Sequence, residues 1–295
     1  MGRPNRFQLL NRKKNLIKNC FKQQKKQVFS IPDLQRIFRE NKVLWAIPGT
    51  TKAEEFIKHL IEKKTITKIE IKLPREEKLN KYICENPSIF EIALSIKSKS
   101  YLSHYTAMFL HGLTDNIPKT IYTNTELKKT KNLNTKKLVQ GSIDKAFGCN
   151  MRQSNQIAKL NEVEIYLLNS KNVDQIGVKK FTLNGVKLLV TDIERTLIDI
   201  AVRPNYAGGI AEVLNAYIAA KDRVSVNRMV SILKKLDYTY PYHQAIGFYL
   251  EKAGYNKSVL KLLEKIEIKH KFYLTYKIKE KDYSKKWKLF FPKGF

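Results

Sequence analysis

The chain has 295 residues, 43% hydrophobic and 11% aromatic, enough for two packed cores and too apolar for wholesale disorder despite 28% charged side chains. Lys and Arg number 56 against 27 Asp and Glu, a net charge of +29, so a polyanion, nucleic acid first, is the expected partner. No apolar run approaches the ~18 residues of a membrane span, and Cys20, Cys84 and Cys149 are too widely spaced for a disulfide framework or a zinc knuckle.

Forty-five of the basic residues are Lys, and a Lys excess also follows from an AT-rich genome, so the distribution matters more than the total. Residues 1–81 carry 21 basic and 8 acidic side chains, 82–189 carry 15 and 8, 190–256 carry 8 and 7, and 257–295 carry 12 and 4. A uniform codon bias does not produce that contrast. Met1 to Lys26 has no apolar stretch of the secretory kind, which makes the expected location cytoplasmic.

Residues 1–14 read as a basic arm. A disordered tail is expected there, although Gly2-Arg3-Pro4 is similar to the core of arms that enter the minor groove. Helix one is expected over 15–27, with Ile17, Cys20 and Phe21 on one face and Lys18, Lys22, Lys25 and Lys26 on the other. Ser30 should cap helix two, with Asp33 in the acidic place of a capping box. After a connector at 41–50, Thr51-Lys52-Ala53-Glu54 reads as a capping box opening helix three. Its apolar stripe is Ala53, Phe56, Ile57, Leu60 and Ile61; Thr51, Lys52, Glu55, Lys58, His59 and Glu62 fall opposite.

Ile66 to Leu73 alternates apolar and polar residues, as a strand does. Arg75 to Lys81 suits a hairpin tip, and Tyr82-Ile83-Cys84 a returning strand. Three short helices and a β-ribbon are the layout of a winged helix-turn-helix. In that layout helix three docks in a major groove, with Thr51, Lys52, Lys58 and His59 as base or phosphate contacts. Lys68 and Lys72 on the ribbon, with Arg12 and Lys13 ahead of helix one, are expected on phosphates. Solvation alone accounts for any single lysine; the charge of the whole module points to DNA.

From Asn86 the pattern changes. Ser88-Ile89-Phe90-Glu91 is another capping box, and 101–114 reads as a mostly buried helix with Ser103 as N-cap and Gly112 just past its end. Strands are expected at 119–124, 163–168 and 180–191, with 126–159 polar and rich in loops. Thr191-Asp192-Ile193-Glu194 reads as a third capping box, opening a helix on which Arg195 and Asp199 are i, i+4 neighbours. Three amphipathic helices follow a turn at 203–209, then a short helix at 259–266 and strands at 272–278 and 287–291.

YLSHYTAMFLHGLTD at 101–115, KTIYTNT at 119–125, TDIERTLIDIAVRP at 191–204 and YAGG at 206–209 resemble, in order and spacing, the AbiEi family of antitoxins and autorepressors of type IV abortive-infection systems. The resemblance covers about residues 15–255. It implies an α+β chain: an N-terminal winged helix-turn-helix (1–81) and a larger mixed α/β antitoxin domain (82–295). It also implies that the first domain binds double-stranded DNA, at inverted repeats in its own promoter. The second would oppose a nucleotidyltransferase-like toxin without a stable complex, with Arg195, Arg203 and Tyr206 as the positions to test. A transcription regulator with a ligand-sensing or dimerising second domain is the alternative, and a nuclease-like defence protein a third reading.

Enzymatic signatures are weak. Asp192, Glu194 and Asp199 resemble a catalytic carboxylate group, but Arg195 between them favours a structural ion pair. His104 and His111 share a helix face without further ligands at a useful spacing, which favours core histidines over a metal site. Glu-x-Lys triplets are commonplace in so Lys-rich a chain, and no Walker-type phosphate loop or G-x-S-x-G appears. Gly208-Gly209 before a helix suits an anion or simply a tight turn. The C-terminal aromatics interleaved with lysines suit core-facing strands better than stacking on RNA, though they are the best residual place for an RNA contact. The expectation is a non-enzyme with no metal and no cofactor.

Overall fold

The computed structural model describes residues 6–127, 137–171 and 173–295. In chain order the elements begin α1 (Arg6–Arg12), α2 (Lys14–Lys22), β1 (Val28–Phe29), α3 (Ile31–Asn41), α4 (Ala53–Glu62), β2 (Thr67–Lys72), β3 (Lys78–Ile83) and α5 (Ile89–Leu94). The middle holds β4 (Tyr101–Leu102), α6 (His104–Leu110), β5 (Thr120–Glu126), α7 (Gln140–Gly148), β6 (Ile157–Leu160), β7 (Val163–Ser170), β8 (Val178–Leu183) and β9 (Val186–Thr191). The last part holds α8 (Ile193–Val202), α9 (Ile210–Ala219), α10 (Val226–Leu236), α11 (Tyr242–Lys252), α12 (Lys257–Glu264), β10 (Phe272–Tyr273), β11 (Lys281–Ser284) and β12 (Leu289–Pro292). The fold is α+β, and among the described residues no helix is long and apolar enough to cross a membrane.

The chain divides into two compact units. One is Met1–Ser98 with Ile157–Glu164 and Thr182–Leu188; the other is Lys99–Gln156 with Ile165–Phe181 and Leu189–Phe295. The single cut expected between 81 and 82 is therefore replaced by a discontinuous division. The later segments 157–164 and 182–188 return to the first unit because they pack there, which no local composition signals.

The first unit packs its helices over strands in the order β1-β3-β2-β6. Its core holds Leu10, Phe21, Phe29, Leu34, Phe38, Trp45, Phe56 and Leu60. Phe56 is sandwiched between Phe38 at 4.8 Å and Trp45 at 5.4 Å between ring centroids. The expected arm is a helix instead from residue 6 onward: Leu10 is buried in this core and anchors α1. Residues 1–5, with Gly2-Arg3-Pro4, lie outside the described residues. Helix one is shorter than expected and ends at Lys22.

Helix α3 starts where expected. Ser30 Oγ accepts from the Asp33 N–H at 3.4 Å, and the Asp33 carboxylate accepts from the Ser30 N–H at 2.8 Å. At α4 the frame shifts by one residue: Lys52 is the N-cap, and its N–H donates to Glu55 at 3.1 Å rather than Thr51 engaging Glu54. β2 and β3 form an antiparallel ribbon in register from Thr67↔Ile83 to Lys72↔Lys78. Its tip is shorter than expected, turning at Pro74–Glu76 with Arg75 and Glu76 at positive φ. Lys72 also pairs with Lys159 of β6, so the ribbon carries a further strand on one edge.

In the second unit β7, β5, β4 and the end of β9 pair in that order, with β4 antiparallel to β5 and parallel to β9 through Leu102↔Val190. The 180–191 stretch is a hairpin, β8–β9, whose turn at Asn184 and Gly185, with φ of 48° and 81°, falls within the residues of the first unit. An Asn-Gly pair supplies those left-handed positions cheaply. The stretch read as loops, 126–159, contains α7 and β6. Helices α8 to α12 carry the main core, and α11 is buried from Tyr242 through Leu250. A small sheet, β10-β12-β11, closes the chain.

That small sheet is held to α11 by two side chains. Gln244 Nε2 donates to the carbonyls of Trp287 at 2.6 Å, His270 at 3.1 Å and Lys288 at 3.2 Å. The Trp287 ring lies against Gly247, and its Nε1 donates to Glu251 at 2.6 Å. A Cβ on Gly247 would stand 2.3 Å from the ring. Gly247→Ala is therefore expected to destabilise the chain by about 1–3 kcal/mol, as overpacking does. Urea denaturation checks it, and a change below a few tenths would mean the ring moves aside freely.

Candidate functional site

In the first unit, Lys52 and Lys58 of α4 and Lys68 and Lys72 of β2 are exposed, as are Arg12 and Lys13 at the α1–α2 junction. Thr51 and His59 are not on that outer face: they are 3% and 5% exposed. His59 sits between the buried Phe56 and Leu60, and Thr51 lies inside the turn that precedes the helix. Their expected contact role is corrected accordingly. Burial, reinforced by Lys63, pushes the His59 imidazole below its ordinary range. The exposed face of α4 also carries Glu54 and Glu62, so its charge is mixed.

A more uniform cationic stripe lies on α2 and just beyond it. Lys14, Lys18 and Lys25 are exposed and form no salt bridge among the described residues, although Lys18 is close enough to Glu85 to help lower its carboxyl; Lys22 and Lys26 are bridged to Glu85 and Asp33. The available signal was the sequence itself, since the first acidic residue is Asp33.

The second unit places Arg195, Arg203 and Tyr206 on one cleft of about 580 Å³. Arg195, on the first turn of α8, is 2% exposed. Its Nε donates to Asp199 Oδ1 at 2.7 Å and its Nη1 to the Ile176 carbonyl at 2.8 Å. Burial works against its charge, but Asp199 outweighs that and holds the guanidinium protonated. The approach is close because residue 177 is glycine: a Cβ there would lie 2.6 Å from Arg195 Cβ.

Arg203 ends α8, where its Nη1 donates to the Arg152 carbonyl at 3.0 Å. Tyr206 accepts from the Ser154 N–H at 2.7 Å and packs against Tyr122 at 5.3 Å and His104 at 5.5 Å. Gly208 and Gly209 both take positive φ, 80° and 100°, which the turn into α9 requires.

The other chemical candidates resolve into structure. Asp192 caps α8 by accepting from the Arg195 N–H at 2.9 Å, and its second oxygen pairs with Arg228. Burial pushes the Asp192 carboxyl upward against that pull. Glu194 is not part of a capping box: it accepts from the Ser225 N–H at 3.0 Å. Arg195 is thus paired through its side chain with Asp199, not held between two carboxylates. His104 bonds to Ser103 Oγ at 2.9 Å and His111 to the Thr191 carbonyl at 2.6 Å, so they do not converge. Among the described residues no group of three His, Cys, Asp or Glu side chains could hold a metal ion.

The cleft also gathers Arg152, Lys171, Tyr238 and Tyr240, which the sequence did not point to, with Asn124 from the 119–125 motif and Tyr276 from the C-terminal aromatics. They come from distant segments and share no local motif. In the C-terminal sheet Phe272 and Trp287 are fully buried, while Tyr283 is 39% exposed, so most of these aromatics belong to the core.

No family model matches the chain, and no curated protein does. A solved structure does share its fold: the crystal structure of RV2827C protein from Mycobacterium tuberculosis superposes with a TM-score of 0.59 over 96% of this chain and 91% of that one, at 15% identity.

Burial pushes the imidazoles of His104 and His243 down from 6.5 to about 4. Between those values the unfolded chain takes up protons that the folded chain does not. Stability is therefore expected to fall as pH drops from 6.5 toward 4, by about 1.4 kcal/mol per pH unit for each imidazole. Urea titrations across that range check the slope, and His104→Gln should remove one proton's share of it.

Proposed function

We propose that the chain is a DNA-binding autoregulator and antitoxin of the AbiEi kind, with DNA contacted by the first unit and antitoxin action carried by the second. The observation that carries the DNA reading is the unpaired cationic surface of Lys14, Lys18 and Lys25 together with the exposed Lys52, Lys58, Lys68 and Lys72. In this reading the first unit works as a winged helix-turn-helix. Helix α4, with its mixed charge, supplies base-edge contacts, while α2, Arg12, Lys13 and the ribbon supply phosphate contacts. Phosphate contacts give affinity and register; base contacts select the site. The antitoxin reading is supported by the sequence motifs that resemble the family, and by Arg195, Arg203 and Tyr206 meeting in one cleft. The functional partner is a nucleotidyltransferase-like toxin, opposed without a stable complex. The same cleft is the observation that favours the second reading, a regulator whose second unit senses a ligand.

Binding to the duplex upstream of the chain's own gene tests the first part. Each phosphate contact contributes ~0.9 to the slope of log affinity against log salt. Lys18→Ala on α2 and Lys68→Ala on the ribbon should each flatten that slope by about one unit, as the loss of one phosphate contact does. An unchanged slope removes that residue from the interface.

Co-expression with the adjacent toxin tests the second part. Cutting the chain at residue 82 would separate α1–β3 from 157–164 and 182–188 of the same unit, so the full chain is used. A variant with Lys18, Lys58 and Lys68 changed to Ala should lose promoter binding and still restore growth. Failure of the unsubstituted chain to restore growth, with both proteins soluble and the toxin active, would remove the antitoxin reading.

A further inference from the structure

We propose that the arginine cleft of the second unit binds a nucleoside phosphate. The inference is independent of the DNA-binding reading, because every residue lining the cleft belongs to the second unit. Its volume, about 580 Å³, is that of a small-molecule site, which commonly spans ~300–1,000 Å³.

The charge of the lining selects an anion. Arg152, Lys171, Arg195 and Arg203 face a single carboxylate, Asp199. That carboxylate is engaged by Arg195 at 2.7 Å, and Lys171 reaches out to Asp237 at 3.0 Å. Arg152 and Arg203 have no carboxylate partner among the described residues, and the bond from Arg203 Nη1 to the Arg152 carbonyl fixes one guanidinium beside the other residue's backbone. Two arginines so placed suit the forked, charge-assisted bonds that phosphate oxygens accept.

The remaining lining excludes a bare phosphate as the whole ligand. Among the described residues Asp199 Oδ2 and Asn124 Oδ1 are buried without a hydrogen-bond partner, and both residues, each 4% exposed, line the cleft. Buried acceptors need donors. A phosphate dianion offers a single O–H for two acceptors and would be repelled by Asp199. Sugar hydroxyls and base N–H groups offer several. Tyr238, Tyr240 and Tyr276 are half-buried in the same wall. Phe147 stacks on one side of the Tyr276 ring at 4.4 Å between centroids, and a wall of aromatic rings is a surface against which a planar base packs. The phosphate therefore belongs to Arg152 and Arg203, and the nucleoside to Asp199, Asn124 and the tyrosines.

A free nucleotide and the terminal nucleotide of a strand share this chemistry. Calorimetric titration of the full chain distinguishes them, using the four ribonucleoside 5′-monophosphates, their nucleosides, inorganic phosphate and a short RNA with and without a 5′-phosphate. At least one monophosphate is expected to bind more tightly than both its nucleoside and inorganic phosphate, and Arg203→Ala to weaken it by about tenfold, the loss of a charge-assisted bond. Arg152→Ala leaves the carbonyl that orients Arg203 in place, so it tests the charge even where Arg203→Ala unfolds. Lys265→Ala, on the exposed end of α12, should leave binding unchanged. Binding by the phosphorylated RNA alone, lost in Arg152→Ala, would assign the site to a strand end. No binding above inorganic phosphate by any mononucleotide or RNA, or binding indifferent to both arginines, overturns the proposal.

Discussion

The second unit is organised around one buried ion pair. Arg195 and Asp199, 2% and 4% exposed, sit one turn apart on α8 with 2.7 Å between Nε and Oδ1. Removing two charges from water costs more than their attraction returns unless the remaining polar atoms are also satisfied. Much of the local structure reads as that satisfaction. The Ile176 carbonyl accepts from Arg195, and Gly177 lets that backbone come close enough to do so. Asp192, which caps the same helix, takes its own counter-charge from Arg228 on α10. Among the described residues Asp199 Oδ2 is left without a hydrogen-bond partner, and Asp199 lies at the cleft.

The same logic of paired constraints holds the C-terminal sheet. Its strands are short, and a three-stranded sheet of that size has little stability alone. It is kept by a glycine on α11 that admits the Trp287 ring and by a glutamine on the same helix that ties three carbonyls flanking its strands. Aromatic residues that looked available for stacking on nucleic acid are largely consumed in this way.

The first unit spends its charge differently. Its acidic residues are concentrated on α3, α4 and the ribbon, where several bridge to neighbouring cations: Asp33 to Lys26, Glu40 to Arg36, Glu70 to Lys78. Helix α2 has no acidic residue of its own, so Lys14 and Lys18 stay solvated and open to a polyanion, while Lys22 is bridged to Glu85. Such cations are cheap to keep in water and are screened by salt, which is why salt dependence reports on them so directly.

Local rules were legible in the sequence. The capping boxes at Ser30 and Ser88, the alternation of 66–73 and the amphipathic faces of α9 to α12 all appear where their residue patterns place them, because each depends on neighbours within about one turn or one strand. Where two local solutions competed, the reading slipped by a residue: Lys52 and Glu55 displaced Thr51 and Glu54, and Glu194 left its own helix end for Ser225. His59 was misplaced because its helical angle sits at the edge of the apolar stripe, and only packing decides which side such a position falls. Arg195, Arg203 and Tyr206 stood out within two neighbouring motifs, 191–204 and 206–209. Arg152, Lys171, Tyr238 and Tyr240 did not, because they join the cleft through folding of segments far apart in the chain. The sequence by itself determined most of the helices and strands, the caps at Ser30 and Ser88 and the basic character of the first unit. Only the tertiary structure decided which charges are buried in pairs, which remain open and which residues share a cavity, because desolvation depends on everything packed around a group and not on its neighbours in the chain.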